Sequence, residues 1–135
     1  RYPDLGVRTR LVHAADPVPE AREYAATQLG FVRTSADYRD LLADPEVDVV
    51  SICSPNFLHK EIALAAAAAG KPFWIEKPMG VSADESAQIA RAAAAAGVVT
   101  SVGFNYRHAP AVARARQLIR HLFQRRRAVA HRHAF

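Results

Sequence analysis

The feature that most constrains the fold is an alternation in the middle of the chain. The apolar run VDVVSIC (Val47–Cys53) precedes a helical stretch from Phe57 to Ala69 that stops at Gly70. Pro72–Ile75 then precedes a second helical stretch that runs to Ala96 and stops at Gly97, and VVTSVGF (Val98–Phe104) closes the pattern. Strand-length apolar runs separated by helices that end at glycine predict βαβ units, hence a parallel sheet with helices on its faces. The mostly apolar Val47–Cys53 reads as a strand covered on both faces, with Cys53 a small buried residue at its end. Ser82 and Glu85 stand at capping-box spacing ahead of the second helix.

Upstream, residues 8–15 read as a strand stopped by Asp16-Pro17. Val18–Leu29 reads as a helix ended by Gly30, and Phe31-Val32 as a short strand. A short helix is capped within Ser35-Ala-Asp-Tyr and runs through Leu42 to the Asp44-Pro45 stop. Pro110 to about Phe123 reads as a further helix, beyond which neither helical nor strand periodicity continues.

The 135 residues suffice for one domain with a buried core, and half of them are hydrophobic. No apolar run approaches the roughly 18–20 residues that span a bilayer, and no h-region follows the opening Arg-Tyr-Pro-Asp, so neither a membrane partner nor a signal peptide is expected. The first residue is not methionine, which predicts a reading frame that begins further upstream. The single cysteine, Cys53, excludes an internal disulfide framework and fits a reducing cytoplasm.

Charge is segregated. Residues 1–85 carry 9 Lys+Arg against 13 Asp+Glu, a net of −4, whereas residues 86–135 carry 9 Arg and no acid, a net of +9. The tail holds Arg125-Arg126-Arg127 and His131-Arg132-His133. Its arginines lack an aromatic platform or a nucleic-acid fold, so no nucleic-acid partner is expected. His121, His131 and His133 lack cysteine or carboxylate companions, so no metal is expected. A tail without acids is what a GC-rich gene read out of frame from about Leu122 would produce.

In a doubly wound sheet, ligands bind outside the carboxyl ends of the strands. The residues there are Asp16, Ser54-Pro55-Asn56, Glu76-Lys77-Pro78 and Asn105-Tyr106-Arg107. Asp16 either accepts hydrogen bonds from ribose hydroxyls, disfavouring a 2′-phosphate, or simply makes an Asp-Pro turn. Ser54-Pro55-Asn56 forms a tight turn that lets backbone approach a ligand. His59 one turn later is a cap, a packing residue or part of the site. Glu76 and Lys77 at the end of a buried strand would be costly to desolvate without a role, and a lysine there can hold a substrate hydroxyl and move its proton.

The run SICSPNFLHKEIALAAAAAGKPFWIEKPMGVS, followed by VGFNYR, resembles the Gfo/Idh/MocA oxidoreductases in the order and spacing of PNxxH, AGK and EKP over roughly residues 10–118. The resemblance implies a Rossmann domain that binds NAD, with NADP as the alternative. It implies a hydride transfer between the nicotinamide and a sugar or cyclitol, with Lys77 as the catalytic residue. Asp16 would hold the ribose, Ser54, Pro55, Asn56 and His59 would line the cofactor cleft, and Glu76, Asn105 and Arg107 would face the nicotinamide end. It also implies a small-molecule sugar or polyol partner and homo-oligomers of the full-length form.

No two glycines stand at G-x-G spacing. The expected fold class is therefore an incomplete Rossmann-type α/β sheet over residues 1–119, lacking the first strand, the Gly-rich turn and the family's second α/β domain. Residues 120–135 would form an Arg/His-rich tail. A different reading is a catalytically inactive fragment or an interaction-only module.

Overall fold

A computed structural model describes residues 9–132, with the side chains of His108 and of residues 122–132 outside the description. The chain divides into two compact units, Arg1–Val102 and Gly103–Phe135. In the first, β1 (His13–Ala15), α1 (Pro19–Tyr24, continued by a π-helical turn Ala25–Leu29), β2 (Arg33–Ser35), α2 (Tyr38–Ala43), β3 (Val50–Ile52), α3 (His59–Ala68), β4 (Phe73–Ile75), α4 (Ala83–Ala96) and β5 (Thr100–Val102) follow one another. β1 and β2 pair in parallel, and β3, β4 and β5 form a second parallel sheet in that order. This is the α/β architecture with parallel strands that the alternation predicts. Among the described residues no strand joins β1 to β3, so the sheet is in two parts.

The helix stops act as the sequence suggests. Gly97 takes the left-handed conformation (φ 66°) that closes α4. At the other end, the Glu85 N–H donates to Ser82 Oγ at 3.1 Å, while Glu85 Oε2 accepts from the Val81 N–H at 3.1 Å. The reciprocal half of the capping box is thus displaced by one residue. α3 and α4 pack on each other, and the buried alanines Ala63, Ala66, Ala67 and Ala93 let their backbones approach. With Val50, Ile52, Phe73, Ile75, Ile62 and Ile89 these alanines form one core.

Three expectations are corrected here. β3 is covered on one face only: Val50 and Ile52 are buried, whereas Val49 is 64% exposed and Ser51 and Cys53 are exposed. The same face carries Val99, 78% exposed, next to β5. Cys53 is accordingly not a buried strand residue, because no described element of the first unit covers that side. The second strand is Arg33–Ser35 rather than Phe31-Val32. In the second unit, a 3-10 turn (Asn105–His108) leads into α5, Pro110–Arg132, which extends past the stop predicted at Phe123. The side chains of Arg125, Arg126, Arg127 and His131, and all of His133, lie outside the described residues.

An ionic network ties β1 and β2 to the loop after α2. His13 Nδ1 lies 3.0 Å from Asp44 Oδ2 and its Nε2 3.0 Å from Ser35 Oγ, while Arg33 Nε donates to Asp44 Oδ2 at 2.7 Å. Arg33 also reaches Glu46 at 2.9 Å, and Arg10 pairs with Glu46. The Glu46 N–H on Asp44 Oδ1, then His13 and Arg33, pull the Asp44 carboxyl down to about 2 from 3.8. A lowered carboxyl stabilises the fold above its ordinary value, and that contribution is lost as pH falls from about 4 through about 2. Acid unfolding followed by circular dichroism is therefore expected to steepen in that window. Asp44→Asn, less stable at pH 7, loses the Asp44 component of the steepening. An unchanged acid limb in that variant would refute the network's role.

Candidate active site

β3 and β4 run in parallel with Ile52 opposite Ile75, so the turns that follow them leave the same sheet edge. The Glu76 N–H donates to Ile52 O at 3.0 Å, which carries the ladder one residue beyond β4 and fixes where Lys77 emerges. The Lys77 N–H then donates to Glu76 Oε2 at 2.6 Å, and the Lys77-Pro78 peptide is cis. Gly80 seats the far side of the turn on α4: a Cβ there would lie 2.8 Å from Glu85 Cβ and 3.0 Å from Ser86 N. Glu85 adds its bond to Val81 and a 3.2 Å ion pair with Lys60 of α3.

Lys77 is exposed and Glu76 half-buried. The expectation of a desolvated pair is thus corrected: in the described residues the edge is open to water, and burial cost does not argue for a role. What the turn does provide is a lysine on a backbone held from three sides, its Nζ making no hydrogen bond among the described residues.

The turn after β3 faces it. The Ser54 Oγ is buried and has no hydrogen-bond partner among the described residues, an unmet capacity that a ligand hydroxyl or amide would fill. Pro55 and Asn56 are exposed, Pro55 O accepting from the Leu58 N–H at 2.9 Å to start the 3-10 turn Asn56–Leu58. His59 is 1% exposed, with Nε2 2.9 Å from Ser54 O and Nδ1 2.7 Å from Pro78 O. The structure thus brings Ser54, His59 and the Lys77 turn together, with His59 beneath them and both ring nitrogens already engaged.

Asp16 follows β1, in the other sheet. Its N–H donates to Ser35 O at 3.1 Å and its Oδ1 accepts from the Val18 N–H at 2.8 Å, leaving Oδ2 without a partner among the described residues. Arg22 Nη1 donates to Asp16 O at 2.8 Å and to Pro17 O at 3.0 Å, holding the turn. Asn105 and Arg107 are exposed residues of the second unit, both in its 3-10 turn.

Arg22 was not legible as part of the site, because a side chain that binds backbone carbonyls leaves no pattern in sequence. Lys71 is similar. It is the lysine of AGK, and its Nζ donates to Asp44 O at 2.8 Å and Val47 O at 2.7 Å, strapping the start of β4 to the loop before β3. Among the described residues no three His, Cys, Asp or Glu side chains group as metal ligands, and no helix is long and apolar enough to cross a membrane.

A free carboxylate oxygen on Asp16, an unpartnered buried hydroxyl on Ser54 and an open ammonium on Lys77 suit a polyhydroxylated ligand such as a dinucleotide. Residues 3–104 match the Gfo/Idh/MocA profile, described as an oxidoreductase family with an NAD-binding Rossmann fold. The chain is similar to levoglucosan dehydrogenase of Pseudarthrobacter phenanthrenivorans, 42% identical over 117 residues, which are 87% of this chain and 29% of that protein. It is 36% identical over 110 residues to the NAD(+)-dependent scyllo-inositol 2-dehydrogenase of Bacillus subtilis, covering 82% of this chain and 32% of the relative. Among solved structures, an NAD-binding oxidoreductase from Klebsiella pneumoniae superimposes with a TM-score of 0.79 at 44% identity, covering 89% of this chain and 32% of that one. The chain spans about a third of the length of these relatives.

Proposed function

Because the chain belongs to the Gfo/Idh/MocA family of NAD-binding oxidoreductases, we propose that it supplies the cofactor half of an enzyme that oxidises or reduces a sugar or cyclitol. The observation that carries this is the edge where the turn bearing Lys77 meets the turn bearing the unpartnered Ser54 hydroxyl. NAD, when bound, accepts or returns the hydride. Lys77 holds the reacting substrate oxygen and takes or gives its proton, which a flexible ammonium on a fixed backbone is suited to do. Asp16 accepts from the adenosine ribose hydroxyls through its free oxygen and disfavours a 2′-phosphate, so NAD is bound in preference to NADP. Ser54, Pro55 and Asn56 line the cleft, with His59 supporting it from below, and Glu76, Asn105 and Arg107 serve the nicotinamide end. The names of the relatives, a levoglucosan dehydrogenase and a scyllo-inositol 2-dehydrogenase, support a substrate of the sugar or cyclitol class. The partner is thus a small sugar or polyol.

Titrating the chain with NADH and following nicotinamide fluorescence tests this. Micromolar binding is expected, and Asp16→Ser is expected to weaken NADH about tenfold, one lost charge-assisted bond, while narrowing the gap to NADPH. The second reading is a catalytically inactive fragment or an interaction-only module. Absence of binding at millimolar NADH would establish that module instead.

A further inference from the structure

His59 is the one buried polar side chain of the described core, and the proposed chemistry uses it only as a support beneath the cleft. Its two ring nitrogens both face backbone carbonyls, Ser54 O at 2.9 Å and Pro78 O at 2.7 Å. A carbonyl only accepts. A neutral imidazole has one N–H and one lone pair, so in either tautomer it bonds one turn and presents a lone pair to the other; only the doubly protonated ring donates to both. These carbonyls belong to the two turns that make the candidate site. Pro78 is the neighbour of Lys77, and Ser54 carries the unpartnered hydroxyl.

We propose that His59 is a positioning residue for Lys77: a buried clasp whose ring bridges the turn after β3 to the Glu76-Lys77-Pro78 turn, held at both ends when the ring is protonated and at one end when it is neutral. The Lys77 ammonium, on the clasped turn itself, makes no hydrogen bond among the described residues, whereas the charged groups of the neighbouring elements are engaged. Lys60 of α3 pairs with Glu85 of α4, and Glu76 accepts from the Lys77 N–H. Glu61 bonds Tyr38 and Arg39. The carbonyls are thus the groups that sense the ring's proton. A ring with a single N–H holds one of the two carbonyls and leaves the other turn without its bond.

The functional meaning of the clasp rests on the acid/base role given to Lys77, but its test does not. In the isotope-labelled whole chain, two-dimensional ¹H–¹⁵N spectra followed against pH are expected to show the amides of Ser54, Lys77 and Met79 moving together with the His59 ring. Responses that come from the other histidines remain in every variant, so the response missing from His59→Gln isolates the clasp. His59→Leu, which donates to neither carbonyl, is expected to raise amide exchange at Lys77 and Met79 about tenfold over that of β4, the loss of one hydrogen bond. Should His59→Leu not fold, the wild-type and His59→Gln titrations still decide. Lys77-turn resonances that ignore both His59 titration and the Gln substitution would overturn the proposal. NADH titration of the same wild-type sample judges the cofactor reading independently, since the clasp signature appears with or without binding.

Discussion

Lys77→Ala, made in a full-length family member with Glu-Lys-Pro at this edge, is expected to lower kcat by about 10²–10⁴-fold, the range for removing a positioned general acid or base. NADH affinity is expected to stay within about twofold, because the role proposed for Lys77 is on the substrate oxygen and the ribose contacts are proposed for Asp16. The split follows from the geometry. The lysine backbone is fixed by the Glu76 bond to Ile52 and by Gly80 packed on Glu85, so truncating the side chain removes the ammonium without disturbing the turn. Steady-state NADH absorbance and fluorescence titration measure the two arms. Lys77→Arg separates charge from proton transfer: it keeps the cation but not a group that readily gives up a proton, so kcat is expected to remain low while KM stays close to wild type. Near-normal turnover in the alanine variant would remove Lys77 from the chemistry.

How much of this was legible in sequence depends on the range of the interaction. The strands β1, β3, β4 and β5, the Gly97 stop and the Ser82 cap rest on local periodicity and on residue types with one conformational use, and they stand where the sequence placed them, the strands shortened at their ends, whereas β2 lies just after its expected place. Polar residues after apolar runs located Ser54 and Lys77 because strand direction alone decides which edge they leave. The two-faced burial of Val47–Cys53 was not legible: apolar composition says that a face can be covered, whereas Val49 and Cys53 show that cover depends on which helices pack there. The environment of Lys77 failed for the same reason, since desolvation belongs to whatever stands opposite. His59 marks the other limit. Its place in PNxxH drew attention, but the two carbonyls that define its part come from positions 5 and 19 residues away and carry no side-chain signal.

Ile75→Ala is expected to be the most damaging single change to the fold. Ile75 is fully buried (0% exposed) in the middle strand of the three-stranded sheet, in register with Ile52 and Val102, and α3 packs over its strand. Much of the surrounding core is alanine, with no long side chain to swing into the space, so the cavity stays open and the cost falls at about 2–5 kcal/mol. Against a usual total of about 5–15 kcal/mol that is a large share, and a melting midpoint lower by roughly 10 °C or more follows for a unit of this size. Ile75→Val, which removes a single methyl, is expected to cost only about 0.5–1.5 kcal/mol. Thermal and urea unfolding of the three chains would show that ordering, and a loss under about 1 kcal/mol in the alanine variant would mean that the β3–β4–β5 core is not packed as described. The consequence reaches the site, because Ile75 is the last residue before Glu76 and its neighbour Ile52 accepts the Glu76 N–H. A strand that shifts to fill the cavity moves the base of the Lys77 turn with it, so Ile75→Ala is expected to weaken NADH binding even at temperatures where the chain remains folded.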